Sequence, residues 1–309
     1  MRCVFIFNPV SGRNRPLRIE QLRHVEKVFS DAGHHTDLIA TTSAGSTTLQ
    51  AREAVHAGAE VVFACGGDGT IHEVIQGLVS ETGIHSAALG VIPLGSANSL
   101  ARHLGLSQDP VKAARQQVQC KAQAIPVGKL DAGELTRYFL VMAGAGPDGA
   151  LVYDLLQSDK SKTGRLAYYS RSARLFATQR FGGFEVEYVV AASGDRIVRS
   201  AISVMAVRVA DLGGVFSKLT ARGASIHDAN LQLVTLRRPG WLSLPLWFLS
   251  GWLNLRRFNP FLHAVTVTQF SCRPLSDPAQ HFQADGEWLG RIPMQVSVVQ
   301  DALRILMPS

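Results

Sequence analysis

The sequence predicts a two-domain protein, in which an α/β domain with a doubly wound parallel sheet precedes a mostly antiparallel β-sandwich domain. In the first 124 residues short apolar runs alternate with helical patterns, whereas later residues form mainly extended runs. The chain of 309 residues is also long enough for two domains. We expect the first domain over 1–124 and the second over 125–299, with 300–309 packing back on the first.

The first domain is predicted from strands that are short apolar runs and helices with apolar residues three and four positions apart. The strands are expected at Val4–Phe7, Asp37–Ala40, Val61–Cys65 and Ala88–Ile92, and the helices around Leu22–Ala32, Leu49–Ala57, Ile71–Val79 and Ser96–Leu104. Elements alternating at this spacing form a parallel sheet, where ligands bind at the carboxyl ends of the strands.

The second domain is predicted mainly from extended runs. Phe184–Val190 and Ile197–Val207 indicate a hairpin, because Ser193-Gly194-Asp195 between them is typical of a turn. Further strands are expected at Leu231–Leu236, Val265–Phe270 and Val296–Val299, a helix over 164–178, and a final strand at Ala302–Met307 that returns to the first domain.

Composition narrows the class of partner. Apolar residues make up 46% of the chain and charged residues 18%, which is typical of a globular protein. The net charge of +7 favours anionic partners such as nucleotides and acidic lipids, while the chain lacks the basic and aromatic patterns of nucleic-acid binding. The four cysteines are far apart, which argues against structural zinc and for a reducing compartment. An N-terminus that begins as a strand rather than a signal peptide predicts a cytoplasmic protein.

The loop after the third strand carries the strongest signal. A glycine-rich turn between a buried strand and a helix can present backbone amides to phosphate. Asp68 lies inside this anion site, where a carboxylate is expected only if it binds a cation or accepts a proton. Glu73, one turn into the helix, either holds the loop, reaches the metal or is a solvated helix residue. The loop residues expected to bind nucleotide are Gly66, Gly67, Gly69 and Thr70.

Two further strands end in loops with similar chemistry. Arg13 can pair with phosphate, and Arg102 is either a phosphate ligand or a surface charge. Ordinary strand-to-helix turns, with Ser96 or Asn98 as the helix cap, are the alternative for both loops. The residues with binding capacity are Asn8, Ser11, Gly12 and Arg13 after the first strand, and Gly95, Ser96, Asn98 and Arg102 after the fourth.

An acidic turn, Asp285-Gly286-Glu287, lies far downstream. Taken alone it is a common surface turn. It gains interest because phosphoryl transfer uses Mg²⁺ and a proton acceptor, and the chain has no Walker A lysine motif. The pattern of loops therefore predicts a kinase.

The four motifs, in this order and spacing, resemble the diacylglycerol kinase, sphingosine kinase and ceramide kinase catalytic superfamily, and its bacterial lipid kinases most of all. The resemblance covers essentially the whole chain. It implies an ATP-binding domain like that of phosphofructokinase and NAD kinase, followed by a β-sandwich that binds lipid. The motifs are 8–12 (Asn-Pro-Val-Ser-Gly), 66–70 (Gly-Gly-Asp-Gly-Thr), 93–98 (Pro-Leu-Gly-Ser-Ala-Asn) and 285–287 (Asp-Gly-Glu).

The resemblance also implies roles for single residues. Asp148 is similar to the acidic position near the lipid headgroup. Asp68, Asp285 and Glu287 resemble the acidic centre that holds catalytic Mg²⁺ and accepts the proton, and which aspartate is the base stays open. The positions that resemble nucleotide contacts are Asn8, Ser11, Gly12, Gly67, Thr70, Gly95, Ser96 and Asn98.

Two positions depart from the superfamily. Many members carry an aspartate where this chain has Ser99, although sphingosine-kinase-like members also lack that acid. An Asp-Asp-Gly stretch that helps bind a structural Mg²⁺ in bacterial diacylglycerol kinases reads His227-Asp228-Ala229 here, so that Asp228 is the acid left for such a site.

The most apolar stretch, Trp241–Leu255, is too short to span a bilayer. Its tryptophans and flanking arginines favour a helix in the membrane interface, and a core element of the second domain is the alternative. We therefore expect a cytoplasmic enzyme that binds the inner leaflet peripherally. The residues concerned are Trp241, Trp247 and Trp252, with Arg237, Arg238, Arg256 and Arg257.

Together these features predict an ATP- and Mg²⁺-dependent lipid kinase that phosphorylates a lipid hydroxyl, with diacylglycerol, ceramide and a sphingoid base all open as substrates. Two alternatives remain at this point. One is an NAD kinase-like enzyme, which shares the Gly-Gly-Asp-Gly-Thr loop. The other is a lipid-binding regulatory pseudokinase, which Ser99 makes conceivable.

Overall fold

The computed structural model describes residues 1–9, 15–43, 45–82, 87–157, 181–210, 224–237, 262–275 and 279–308. The chain divides into two compact units. One consists of Met1–Val127 with Val299–Ser309, and the other of Gly128–Val298. The helix expected over 164–178 and the apolar stretch at 241–255 lie outside the described residues.

The first unit contains a parallel sheet with strand order β2-β1-β3-β4-β15, as the alternating pattern predicts. Helix α1 packs against α5, and α2 packs against α3. The elements are β1 Arg2–Phe7, α1 Arg15–Asp31, β2 His35–Ala40, α2 Ser46–His56, β3 Val61–Gly66, α3 Asp68–Leu78, β4 Ala88–Pro93, α4 Ser99–His103, α5 Pro110–Val118 and the C-terminal half of β15 Met294–Met307.

The core of this unit explains why its central strands read as continuous apolar runs. Every residue of β3 and β4 is buried, as expected for strands covered on both faces. Phe5 and Phe63 stack with ring centroids 4.5 Å apart, and Phe29 of α1 packs on both. The four apolar positions of α3, from Ile71 to Leu78, are also buried.

The second unit is mostly antiparallel. Its described strands follow the order β14-β13-β7-β10-β11-β12-β15, with β8 pairing to β12 and β9, and β5 pairing to β6. The elements are β5 Lys121–Ala132, which begins in the first unit, β6 Leu135–Phe139, β7 Met142–Ala145, α6 Pro147–Gln157, β8 Phe184–Val190, β9 Arg196–Ala201, β10 Ser203–Val207, β11 Leu231–Leu236, β12 Leu262–Pro274, β13 His281–Ala284, β14 Glu287–Arg291 and the N-terminal half of β15.

One strand prediction is wrong. Ile197–Val207 was expected as a single strand, but it divides at Ile202 into β9 and β10. β9 completes the expected hairpin with β8, whereas β10 lies between β7 and β11. The alternating burial of β9 and the continuous burial of β10 reflect this change of neighbours.

No helix within the described ranges is both long and apolar enough to cross a membrane.

Candidate active site

The glycine loops that follow β3 and β4 pack directly against each other. Gly67 precedes α3 as its N-cap, and having no side chain it leaves the first turn of the helix without a side-chain cap. A Cβ atom on Gly67 would lie 3.2 Å from the Cα of Gly95, and one on Gly95 would overlap Gly67. The amide of Leu94 donates to the carbonyl of Gly66 at 2.9 Å. The two loops therefore form one backbone-lined surface at the carboxyl ends of the strands.

Asp68 joins the two loops. Its Oδ1 accepts hydrogen bonds from the amides of Ser99 at 2.8 Å and Leu100 at 3.4 Å. These are the first two amides of α4, whose own N-cap residue makes no side-chain cap. The Ser99 hydroxyl lies 3.5 Å from Oδ2. Asp68, the first residue of α3, thus caps α4, and the hydroxyl of Ser99 lies beside the same carboxylate.

Asn98 shapes the loop from inside. It is buried in the left-handed conformation, with φ 48° and ψ 50°. Its Oδ1 accepts from the amide of Gly95 at 2.9 Å, and its Nδ2 donates to the Gly95 carbonyl and to Gln108 Oε1, both at 3.0 Å. Asn98 therefore braces the loop, and its nucleotide-binding role stays a prediction, while Ser96 nearby is exposed.

Two arginines bring positive charge to this loop. Arg102, expected from the sequence, donates from Nε to the carbonyl of Ala97 at 2.8 Å. Arg18 was not expected, because it belongs to α1 and to none of the loop motifs. Its Nη2 donates to the carbonyl of Leu94 at 2.7 Å, next to Gly95.

The remaining predicted nucleotide residues are less informative. Asn8 follows β1 and is half-buried, and Thr70 packs its side chain over Gly66. Glu73 is half-buried on α3, and its carbonyl accepts from Thr48 of α2 at 2.9 Å. Ser11, Gly12 and Arg13 lie outside the described residues.

In the second unit, Asp285 is buried and anchored by backbone amides. Its Oδ1 accepts from Val141 and Met142, and its Oδ2 accepts from Leu140, each at 2.9 Å. Its own amide donates to the carbonyl of Met142 at 2.8 Å. The residue has φ 50°, and Glu287 follows as the first residue of β14. Asp285 thus attaches the β13–β14 turn to the segment that precedes β7.

A fully buried arginine lies within electrostatic range of Asp285. Burial lowers the pKa of Arg208 to about 10, while the charges of Asp285 and Asp228 act in the opposite direction. Arg208 Nη2 donates to the carbonyl of Ile226 at 3.0 Å, and Asp228 accepts from the amide of Ser225 at 3.2 Å. A buried guanidinium near Asp228 disfavours a second cation there. In the described part of the chain, no three His, Cys, Asp or Glu residues are grouped to hold a metal ion.

Asp148 lies in the first turn of α6 with its carboxylate against Gly144, where a Cβ atom would overlap it. Burial raises the pKa of Asp148 to about 6, and a hydrogen bond from Gln283 and the nearby amides of Gly149 and Asp148 itself partly offset this rise. Gln283 Nε2 donates to Oδ2 at 3.1 Å. Oδ1 is buried and accepts no hydrogen bond from the described residues.

Three aromatic side chains from α6, β13 and β14 pack together. Tyr153 of α6 stacks on His281 with ring centroids 4.4 Å apart, and Trp288 Nε1 donates to His281 Nδ1 at 2.9 Å. Burial and the charge of Arg291 lower the pKa of His281, which suits Nδ1 as an acceptor. Sequence patterns gave no sign of this cluster, because its members come from separate elements.

Comparisons with known proteins agree with this architecture. The diacylglycerol kinase catalytic domain family matches residues 2–130. A diacylglycerol kinase of Bacillus subtilis (strain 168) is 34% identical over 238 residues, which are 77% of this chain and 74% of that protein. One of Staphylococcus saprophyticus is 24% identical over 308 residues, covering 100% and 96%. The crystal structure of a diacylglycerol kinase from Bacillus anthracis str. Sterne has the same fold, with a TM-score of 0.74 at 19% identity over 99% of this chain and 96% of that one. The chain therefore belongs to the diacylglycerol kinase family, in its bacterial branch.

Proposed function

We propose that this protein is an ATP-dependent lipid kinase that phosphorylates the free hydroxyl of diacylglycerol. The observation that carries the proposal is the pair of interlocked glycine loops, in a chain whose relatives are diacylglycerol kinases. An NAD kinase-like activity is disfavoured because the family relationship extends through residues of the second unit, which the relatives share.

The nucleotide is proposed to bind at the loops of the first unit. Backbone amides at the uncapped start of α3 favour a phosphate group. Arg18 and Arg102 add positive charge near the exposed Ser96. The close contact between Gly67 and Gly95 keeps side chains away from this surface, so the phosphates can approach the backbone.

Mg²⁺ is proposed to accompany ATP, where it would neutralise charge on the phosphates. Magnesium is commonly held by one or two carboxylates together with substrate phosphates, so a cage of protein ligands is not required. Asp68, Asp285 and Glu287 remain the carboxylates proposed for this role. Backbone amides already occupy part of the carboxylates of Asp68 and Asp285.

The lipid hydroxyl is proposed to bind Asp148 in the second unit. Its Oδ1 accepts no hydrogen bond from the described residues, and a carboxylate with a pKa of about 6 is mostly ionised at neutral pH. The hydroxyl oxygen would then attack the γ-phosphate in line, with positioning and charge neutralisation supplying most of the catalysis. Asp68 and Asp285 both remain proposed as acceptor of the proton.

The test is phosphoryl transfer from γ-labelled ATP with Mg²⁺ to mixed micelles containing diacylglycerol, ceramide or sphingosine, with NAD as a separate substrate. We expect label in diacylglycerol. Label in ceramide or sphingosine instead would show that the protein is a lipid kinase with a substrate other than diacylglycerol. Label in NAD, or none despite measured ATP binding, would contradict the proposal in favour of an NAD kinase or a pseudokinase.

A further inference from the structure

Gln283 connects Asp148 to the acidic turn. The residue is 2% exposed and lies on β13, two positions before Asp285. Its Nε2 donates to Asp148 Oδ2 at 3.1 Å, and its Oε1 accepts from the amide of Gly286 at 2.9 Å. One buried side chain therefore joins the start of α6 to the β13–β14 turn.

These two hydrogen bonds require a single orientation of the amide. Its nitrogen can only donate and its oxygen can only accept. A carboxylate on one side and a backbone N–H on the other therefore determine which way the group points. Asp148 Oδ2 is held in this way while Gly144 packs against the same carboxylate. Oδ1 is left as the oxygen that accepts no hydrogen bond from the described residues.

We propose that Gln283 is a positioning residue for lipid phosphorylation, which holds Asp148 Oδ2 so that Oδ1 accepts the hydrogen bond of the lipid hydroxyl. This inference rests on the proposed function. The side chain of Gln283 links Asp148 to the turn that carries Asp285 and Glu287. A shift of Asp148 would therefore displace this turn, and a shift of the turn would displace Asp148.

We consider the other titratable groups on the described elements around Asp148. Strands β7 and β10 carry none, β13 carries His281, β14 carries Glu287 and Arg291, and α6 itself carries Tyr153 and Asp154. Cys272 of β12 is within electrostatic range, and burial raises its pKa well above the ordinary value, so the thiol stays neutral. Burial lowers the pKa of His281, so this imidazole is more fully neutral at neutral pH than a free one. An acid limb that moves together with the NMR titration of Asp148 can therefore be assigned to this carboxylate.

The first experiment measures the titration of Asp148 directly, by NMR of protein labelled with ¹³C at aspartate carboxyl groups and assigned with Asp148→Asn. Gln283→Met keeps the volume and removes both hydrogen bonds, and Gln283→Glu keeps an acceptor for Gly286 and removes the donor. We expect both to raise the pKa of Asp148, by roughly half a unit or more. Gln295→Met, an exposed position on β15, is the matched control and should leave it unchanged.

The second experiment follows the pH dependence of kcat/KM for diacylglycerol. Activity requires ionised Asp148, so a raised pKa moves the acid limb to higher pH in Gln283→Met, about as far as the NMR titration moves. An unchanged titration in a variant that melts cooperatively would overturn the inference. Failure of the wild-type protein to phosphorylate any lipid would instead refute the proposed function, which the titration does not measure.

Discussion

At the scale of single residues, Asp68 and Asp285 are bound mainly by backbone amides. Asp68 accepts from two amides of α4, and Asp285 accepts from three consecutive amides, the last of which belongs to the first residue of β7. Their first effect is structural, because each attaches one loop to another. Substitutions at these positions are thus expected to change stability as well as turnover.

Asp285→Asn illustrates the combined effect. The asparagine NH₂ group would face one of the three amide donors, and the negative charge near buried Arg208 would be lost. We expect a loss of stability of about 1–3 kcal/mol together with near-complete loss of kinase activity, while ATP binding in the first unit is retained. Denaturant unfolding, kinase assays and nucleotide titration measure the three effects. Asp154→Asn, exposed on α6, is the control, and full activity in Asp285→Asn would exclude a catalytic role.

Gly95→Ala tests the nucleotide loop. The added methyl group would overlap Gly67, so the loops must separate, and a displacement near 1 Å at a phosphate site costs about 10²-fold in rate. We expect kcat/KM for ATP to fall by about that factor with little change in lipid KM. Gly183→Ala introduces the same methyl group where the nearest atom lies 3.5 Å away, and it should be close to neutral. Equal effects of both substitutions would contradict this account of the loop.

At the scale of elements, α5 is attached to β4 through a buried side chain. Gln117 is 1% exposed, its Oε1 accepts from the amide of Val91 at 2.9 Å, and its Nε2 donates to the Val91 carbonyl at 2.6 Å. Strand β15 pairs with β4 at Ala88 and Leu89. Gln117 therefore supplies hydrogen bonds to β4 beyond the part of the strand that is paired with β15.

We expect Gln117→Leu to lower the free energy of unfolding of the first unit and to leave that of the second unit unchanged. Two backbone groups of Val91 would be left buried without their partner, at a cost of about 1–3 kcal/mol for each unsatisfied group. Denaturant titration measures the change, with Gln119→Leu at the exposed end of the same helix as the matched control. A difference below about 0.5 kcal/mol between the two variants would show that water or relaxation replaces Gln117.

At the scale of the whole molecule, the net charge of +7 and the arginine-flanked apolar stretch lead us to propose peripheral binding to anionic membranes. Of the residues expected to contribute, Arg237 is described and exposed, while Trp241, Trp247, Trp252, Arg238, Arg256 and Arg257 lie outside the described residues. The proposal therefore rests on sequence and charge.

Vesicle co-sedimentation tests this proposal. We expect binding to vesicles with anionic lipid that weakens as salt is raised, because exposed charges are screened over about 10 Å at 0.1 M salt. Replacing Trp241, Trp247 and Trp252 by Ala should reduce binding at low salt, whereas replacing Trp288, which is bonded to His281, should not. Equal binding to neutral and anionic vesicles would exclude the electrostatic contribution.

From the sequence alone follow the α/β and antiparallel architecture, the parallel sheet of the first unit and the glycine loops, because each depends on local periodicity and on residues adjacent in the chain. Only the tertiary structure decided several other features. These are the strand division at Ile202, the capping of α4 by Asp68, the brace formed by Asn98, and the contacts made by Arg18 and Gln283. Those contacts join residues far apart in sequence, such as Gln283 with Asp148 and Arg18 with Leu94. No spacing rule predicts them, since packing of whole elements determines which polar groups meet.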